Sequence, residues 1–464
     1  MKSKQRVLPY SITPARSRLV LLWMQFLMIF TGVMVLVGGS NGLFVTNYYL
    51  FHVLVLGIFT SAIWVLLKTA QHDRRESVLL FFALGYCAFH FGIIPIYVIM
   101  PEAIDTIGFN LFLWYSRSEL MVPAYSLASI YLAGLVASLL LPMIYRGSAT
   151  LTPPVSVYAS ALARVALLAM MGFIVAWCYI VLTTGLGGYD ILMEGLQESG
   201  RGALIGFIHS AIGISFVLTV VMAEKPRTAA IIFALWASLA FPLGLRGHVA
   251  FPALLAVALL SSQGRFSLNP WRIVLLALVF LFISSAVAVF RISTPQDTLE
   301  GSVSIARGIA ELGGSIRPAY EVVDWVSNGD SLQWGNTYFA PLERTFLRIF
   351  PIAERISAES DSRLMNVLIV QRAGPYGFSI AAEAFYNFGY IGCFLLGLLS
   401  GWGARLAGRF ADRRLFRPVA LALTFALFVH IRQSFVTSYG VFMGSIVLLV
   451  FIWLVARGLR QWQR

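Results

Sequence analysis

Charge is scarce in this sequence. Only 12% of its residues are Asp, Glu, Lys or Arg, against 59% hydrophobic residues and a mean hydropathy of +0.80. That balance excludes a soluble globular chain. Cysteine is scarce too: Cys87, Cys178 and Cys393 all fall in apolar stretches. They supply neither a disulfide framework nor a metal site and are assigned to packing. Lysine is confined to Lys2, Lys4, Lys68 and Lys225. There is no phosphate-cradling glycine loop, no His-Glu-x-x-His helix and no serine elbow, which excludes nucleotide hydrolysis, zinc proteolysis and serine hydrolysis. The net charge of +13 is assigned to anchoring at a membrane surface, with no nucleic-acid partner.

What the chain has in abundance is apolar runs long enough to cross a bilayer. Spans are expected at 19–38, 48–67, 78–99, 119–145, 162–184, 204–223, 229–243, 248–262, 273–290, 379–403, 418–431 and 439–456. No small-x-small cleavage site follows the first run, so it is read as a span. The fold class expected is all-α, a polytopic membrane protein of about twelve helices. Residues 1–290 carry nine spans and 379–464 three; between them, 291–378 form one large outer loop with short amphipathic helices on the membrane surface. All four lysines fall on the predicted inner side, which places both termini in the cytoplasm.

Candidate chemistry gathers where that loop meets the bilayer. Arg246, Arg291 and Arg432 end different spans at one depth, the outer edge of the hydrocarbon. Each alone reads as a snorkelling anchor. Together they offer permanent charge and planar donor forks suited to a pyrophosphate or carboxylate. Glu383 lies one turn into the tenth span with Asn387 as its i+4 neighbour. The pair reads either as a buried carboxylate paired with an arginine, or as a general base and a group orienting a sugar hydroxyl. His248 and His430 flank Arg246 and Arg432. The loop itself has no histidine and no cysteine, so any proton acceptor in it is a carboxylate.

Several stretches resemble the Wzy-type oligosaccharide repeat-unit polymerases. These are Gly335-Asn336-Thr337-Tyr338, Phe350-Pro351, the helix from Gly377-Phe378-Ser379 through Glu383, Asn387 and Gly389 to Gly392, the hairpin Gly244-Leu245-Arg246-Gly247, and the late Arg432. The resemblance implies a GT-C-like membrane glycosyltransferase of the bacterial inner membrane, with the loop in the periplasm. It would move a growing glycan from undecaprenyl pyrophosphate onto a fresh undecaprenyl-pyrophosphate-linked repeat unit, without a metal or other cofactor. Under it, Glu383, Arg246, Arg291 and Arg432 are the catalytic candidates, with His248 or a loop carboxylate as the other choices of base. His248, Arg317, Tyr338, Arg344, Arg348, Arg372, Tyr376, Asn387, His430 and Tyr439 are the substrate-binding candidates. Expected partners are the lipid-linked donor and acceptor, the bilayer, a chain-length regulator and a flippase.

Two other activities compete. An O-antigen ligase would share the architecture but would be expected to use a loop histidine. A transporter of lipid-linked oligosaccharides would place its charge near the midplane of broken helices, whereas here charge concentrates at the outer edge. A scaffold in an assembly complex is the structural alternative.

Overall fold

In a bilayer every backbone amide must be paired within the chain, which leaves helices and closed barrels as spanning structures. The computed structural model takes the first course. It describes residues 20, 22–23, 48–100, 118–142, 157–184, 202–223, 226–291, 305–352, 354, 356–358, 360–374, 377–410 and 417–462, and among them every regular element is helical. Before the loop come α1 (Tyr48–His72), α2 (Ser77–Phe91), α3 (Ile94–Ile99), α4 (Ser118–Ala137), α5 (Val157–Thr184) and α6 (Gly202–Met222). They are followed by α7 (Arg227–Ala240), α8 (Arg246–Ser262) and α9 (Pro270–Arg291). The loop holds α10 (Ile305–Gly313), α11 (Arg317–Ser327), α12 (Asn336–Ile349) and α13 (Met365–Arg372). Last come α14 (Ile380–Phe410), α15 (Arg417–His430) and α16 (Phe435–Trp462).

Six helices among the described residues are long and apolar enough to cross a bilayer, and they lie in α1, α4, α5, α6, α14 and α16. The protein is therefore a multi-pass membrane protein. Other expected spans are shorter: α7, α8 and α15 have 14, 17 and 14 residues. The expected span 78–99 is broken into α2 and α3 at Gly92 and Ile93. The expected first span lies, except for Val20, Leu22 and Trp23, outside the described residues.

Burial sorts the long helices. α4 and α6 are buried over 78% and 83% of their apolar windows, whereas α1, α5 and α16 are buried over 39% or less. The first pair forms the centre and the others turn a face to lipid. At that centre α4 and α14 cross backbone to backbone: a side chain at Gly134 would collide with Phe394 O, and one at Gly397 with Tyr131 O. Small residues serve this purpose in membranes, where packing rather than apolar burial joins helices.

The loop differs from the surface-lying arrangement expected. α10 and α11 are tucked into the bundle. Gly313 lies against the backbone of Gly92 and Ile93, and Gly308 against Leu281 O of α9. Tyr320, Val322, Val323 and Trp325 of α11 are buried, with Tyr320 edge-on to Tyr125 of α4 and Trp325 edge-on to Tyr386 of α14. The apolar face read from the sequence is real, but its counterpart is protein. Among the described residues of the loop, α12 keeps an exposed apolar face, through Phe339, Leu342, Phe346 and Ile349.

At the far end of α14 from Glu383, roughly 30 Å along the helix at 1.5 Å per residue, a buried ion cluster closes the bundle. Arg405 Nε donates to both oxygens of Glu76 at 3.2 and 3.1 Å, and Arg409 Nη2 donates to Glu76 Oε1 at 2.7 Å. Arg405 also donates to the carbonyls of Ser138 and Leu141, just past the end of α4.

Candidate active site

Helix α14 begins where Ser379 caps it. Ser379 Oγ accepts from Ala382 N at 3.3 Å and meets His90 Nε2 at 2.7 Å. His90 Nδ1 lies 2.9 Å from Tyr86 O, so that nitrogen carries the proton and Nε2 accepts from the serine. One turn on, Glu383 is completely buried. Its Oε1 accepts from Thr337 Oγ1 at 2.9 Å, and its Oε2 accepts from the backbone N–H of Phe435 at 2.7 Å. His430 Nε2 stands 3.3 Å from Oε2. One carboxylate thus joins the start of α12, the end of α15 and the first residue of α16, whose N-terminal amides have no intrahelical acceptor.

Asn387 completes the arrangement. Its Nδ2 donates to Thr337 Oγ1 at 2.7 Å and to Glu383 O at 2.8 Å, while its Oδ1 accepts from Gly335 N at 3.0 Å. The Thr337 hydroxyl therefore receives from Asn387 and donates to Glu383, which fixes its direction. A break in α14 makes this possible. Gly389 sits at φ 65°, ψ −158°, a conformation open to glycine. Next to this break the carbonyls of Tyr386 and Asn387 accept from Gln333 N and Trp334 N, each at 3.0 Å. Gly389 thus ends a helical segment and lets the loop dock. Segment 333–337 lies across Glu383, with Gly335 at φ 91° and Trp334 at φ 50°.

The arginines divide. Arg246 is the first residue of α8 and is buried, following a turn with Gly244 at φ 78°. His248, on the same helix, packs against His209 with ring centroids 4.5 Å apart, and His209 Nε2 accepts from Trp177 Nε1 at 2.8 Å. Arg432, two residues after His430, lies within electrostatic reach of His248 and over the ring of Phe89 at 5.6 Å. Its carbonyl accepts from Phe378 N at 2.9 Å, just before α14. Arg432 and His248 are thus brought together, with Arg246 at the head of the same helix. Arg291 closes α9; its side chain lies outside the described residues.

The remaining binding candidates scatter. Arg317 pairs with Glu321 on its own helix at 3.6 Å. Arg344 pairs with Asp361 at 3.3 Å and donates to Ile356 O at 2.8 Å. Arg372 forks onto Asp330 and lies 4.2 Å over the Trp325 ring. These three are already engaged within the loop, whereas Arg348 is exposed in the last turn of α12. Tyr338 is stacked with Phe388 and edge-on to Phe435. Its buried hydroxyl has no hydrogen-bond partner among the described residues, and burial, then the charge of Glu383, raises its pKa well above 10.0. Tyr439 stacks on Phe435 with centroids 6.1 Å apart, and Tyr376 lies outside the described residues.

Four groups in this region had no role in the sequence reading: Thr337, the Phe435 amide, the His90–Ser379 pair, and His209. Thr337 stood inside the Gly335–Tyr338 stretch and could have been singled out there. Ser379 likewise stood in the Gly377-Phe378-Ser379 stretch; His90, His209 and the Phe435 amide have no local signal. Among the described residues no group of three or more His, Cys, Asp or Glu side chains converges as metal ligands would.

The sequence pattern of the O-antigen polysaccharide polymerase Wzy family matches residues 19–461, nearly the whole chain. The chain is also similar to "Protein CapE" of Staphylococcus aureus, at 24% identity over 234 residues, which is 50% of this chain and 51% of CapE. The match thus spans about half the length of that relative. No solved structure matches.

Proposed function

Because the chain belongs to the O-antigen polysaccharide polymerase Wzy family, we propose that this polysaccharide polymerase is an undecaprenyl-pyrophosphate-dependent glycosyltransferase. The observation that supports this reading best is the buried Glu383 held between three chain segments, with His430 linking it in sequence to Arg432. In the proposed step, the acceptor hydroxyl loses its proton to Glu383 as its oxygen bonds the anomeric carbon of the growing chain. The bond from that carbon to the lipid pyrophosphate breaks, and the leaving group departs as an anion. Arg246 and Arg432, with Arg291 as the third cation, would neutralise that charge; preorganised donors of this kind are worth ~3–4 kcal/mol each. Asn387 orients Thr337, and Thr337 orients the carboxylate. Segment 333–337 covers Glu383 and, with the acceptor bound against it, excludes water from the donor.

The finer topology belongs to the same proposal. The chain would cross the inner membrane about twelve times in a GT-C-like arrangement, with the Glu383 end facing the periplasm and both termini in the cytoplasm. No resident metal is required, since arginines take the place of a metal at the leaving group. The chain-length regulator and the flippase would act beside it, one on its product and one on the supply of its substrate.

The test is reconstitution in nanodiscs with a synthetic undecaprenyl-pyrophosphate repeat unit, with and without EDTA. A ladder of longer chains in both is expected. Unchanged single repeat units would overturn the polymerisation step, and a ladder only without EDTA would overturn the metal-free chemistry.

A further inference from the structure

Among the described residues Trp334 is the one non-glycine residue with a positive φ, at 50°. Its side chain is 75% exposed, so no packing compels that conformation. Left-handed backbone is costly for a bulky residue and persists where its surroundings enforce it, commonly at functional sites. Here the enforcement is visible. Gln333 N, Trp334 N and Gly335 N donate in turn to Tyr386 O, Asn387 O and Asn387 Oδ1, each at 3.0 Å. Three successive amides are pinned to the broken end of the helical segment that carries Glu383. The result is a large flat ring held out into the open next to Gly335 and three residues from Thr337, the partner of Glu383.

Gln333, the residue before it, belongs to a set of polar groups fixed before any ligand arrives. Asp330 takes the fork of Arg372 and the hydroxyl of Tyr386, the latter at 3.2 Å. Gln333 Nε2 reaches the same hydroxyl at 3.5 Å. The Asp330 and Arg372 side chains remain 28% and 35% exposed. An open aromatic face beside a few fixed polar groups is the chemistry that recognises a sugar ring. The ring's C–H groups carry slight positive charge and meet the negative π face, while its hydroxyls need donors and acceptors at the edge.

We propose that Trp334 and the Asp330–Arg372–Gln333 rim form a carbohydrate subsite that stacks a pyranose ring of the repeat unit beside Glu383. This rests on the polymerase reading above and names the sugar-binding part of that site. Its action is on binding, through a wall whose strained backbone aims the indole. The rival role for an exposed tryptophan is an anchor in the lipid interface, and three substitutions separate the two. Trp334→Leu keeps an apolar anchor but has no π face; Trp334→Phe keeps a flat ring; Trp334→Gly removes the ring and accepts the left-handed φ without strain.

The probe is the lipid-free repeat-unit oligosaccharide, released by mild acid from the host cell's own lipid-linked pool. Its binding to full-length protein in nanodiscs is followed by saturation-transfer NMR, alongside ladder formation and thermal melting. Wild type should show saturation transfer to sugar ring protons. Trp334→Leu should lose it and raise KM about tenfold with kcat little changed, and Trp334→Phe should retain most of both. Trp334→Gly should lose binding while melting no lower than wild type. Wild-type binding and KM in Trp334→Leu would overturn the subsite and leave an anchor, as would a lowered melting temperature in Trp334→Gly with sugar binding intact. These outcomes differ from failure of the polymerase reading, in which the wild type itself makes no ladder.

Discussion

Helix α14 carries a buried carboxylate site at one end and a buried carboxylate–arginine cluster at the other, and the two are built differently. At the far end Glu76 faces Arg405 and Arg409, with main-chain carbonyls absorbing further guanidinium donors. Charge there is matched by charge, the usual condition for keeping ions in a dry interior. At the near end Glu383 is held by a hydroxyl, a main-chain amide and a histidine, while Arg432 lies within electrostatic reach of His248. A carboxylate neutralised by two arginines cannot readily take a proton. In the proposed mechanism Glu383 is the proton acceptor, and its partners here are a hydroxyl, a main-chain amide and an imidazole. On the proposed mechanism the contrast separates structural charge from chemical charge along one helix.

The sharpest way to break that comparison is Glu383→Gln. The amide keeps an acceptor for Thr337 but is no base. Ladder formation should fall by ~10²–10⁴, with melting within a few degrees of wild type. Full activity would leave Glu383 as a structural carboxylate after all. Next is Arg405→Ala, which strands Glu76 with one arginine. Breaking a buried pair costs about 3–5 kcal/mol, so the variant should fail to accumulate in the membrane or melt far below wild type. An Arg405→Ala protein that is stable but inactive would reverse the roles assigned to the two ends.

Thr337→Val is a smaller test of how the carboxylate is oriented. It removes one hydrogen bond to Glu383 and leaves the Asn387 amide without that acceptor. A cost of ~1–3 kcal/mol is expected, divided between melting temperature and kcat. A loss seen only in melting would make the threonine a strut. The smallest effect concerns pH. Asp330 has its pKa drawn below 3.8, first by its hydrogen bond from Arg372. A group depressed on folding stabilises fully above its unfolded pKa and loses that contribution as pH falls through its folded pKa. Because the pair is partly exposed, it is worth under about 1 kcal/mol. Asp330→Asn should therefore melt slightly lower than wild type at pH 7, and the gap should shrink below about pH 4.

Much of this site could be read from the chain before its geometry was known. Glu383 and Asn387 are one helical turn apart, so their shared face follows from spacing alone. The arginines drew notice because charge at a span end is uncommon in so apolar a sequence. What could not be read is which neutral donors would reach the carboxylate. The Phe435 amide is a main-chain group with no sequence signature, and His90 and Ser379 lie far apart in the chain. The loop helices were visible as amphipathic segments, yet hydrophobic periodicity reports a buried face and is silent on whether lipid or protein covers it. For α10 and α11 the answer turns on Gly92, Gly308 and Gly313, whose meaning lies in what approaches them.

Those three glycines bear on how relatives could be recombined. With Gly313 seated against Gly92 and Gly308 against Leu281 O, the loop's first helices are interlocked with α2, α3 and α9 as parts of one casting. Exchanging residues 291–378 alone between two polymerases would set a foreign helix against a mismatched backbone groove, and the hybrid should misassemble whatever its sugar preference. A graft that carries α2, α3 and α9 along with the loop keeps each contact with its own partner. The inheritable unit of this protein is accordingly discontinuous in the chain.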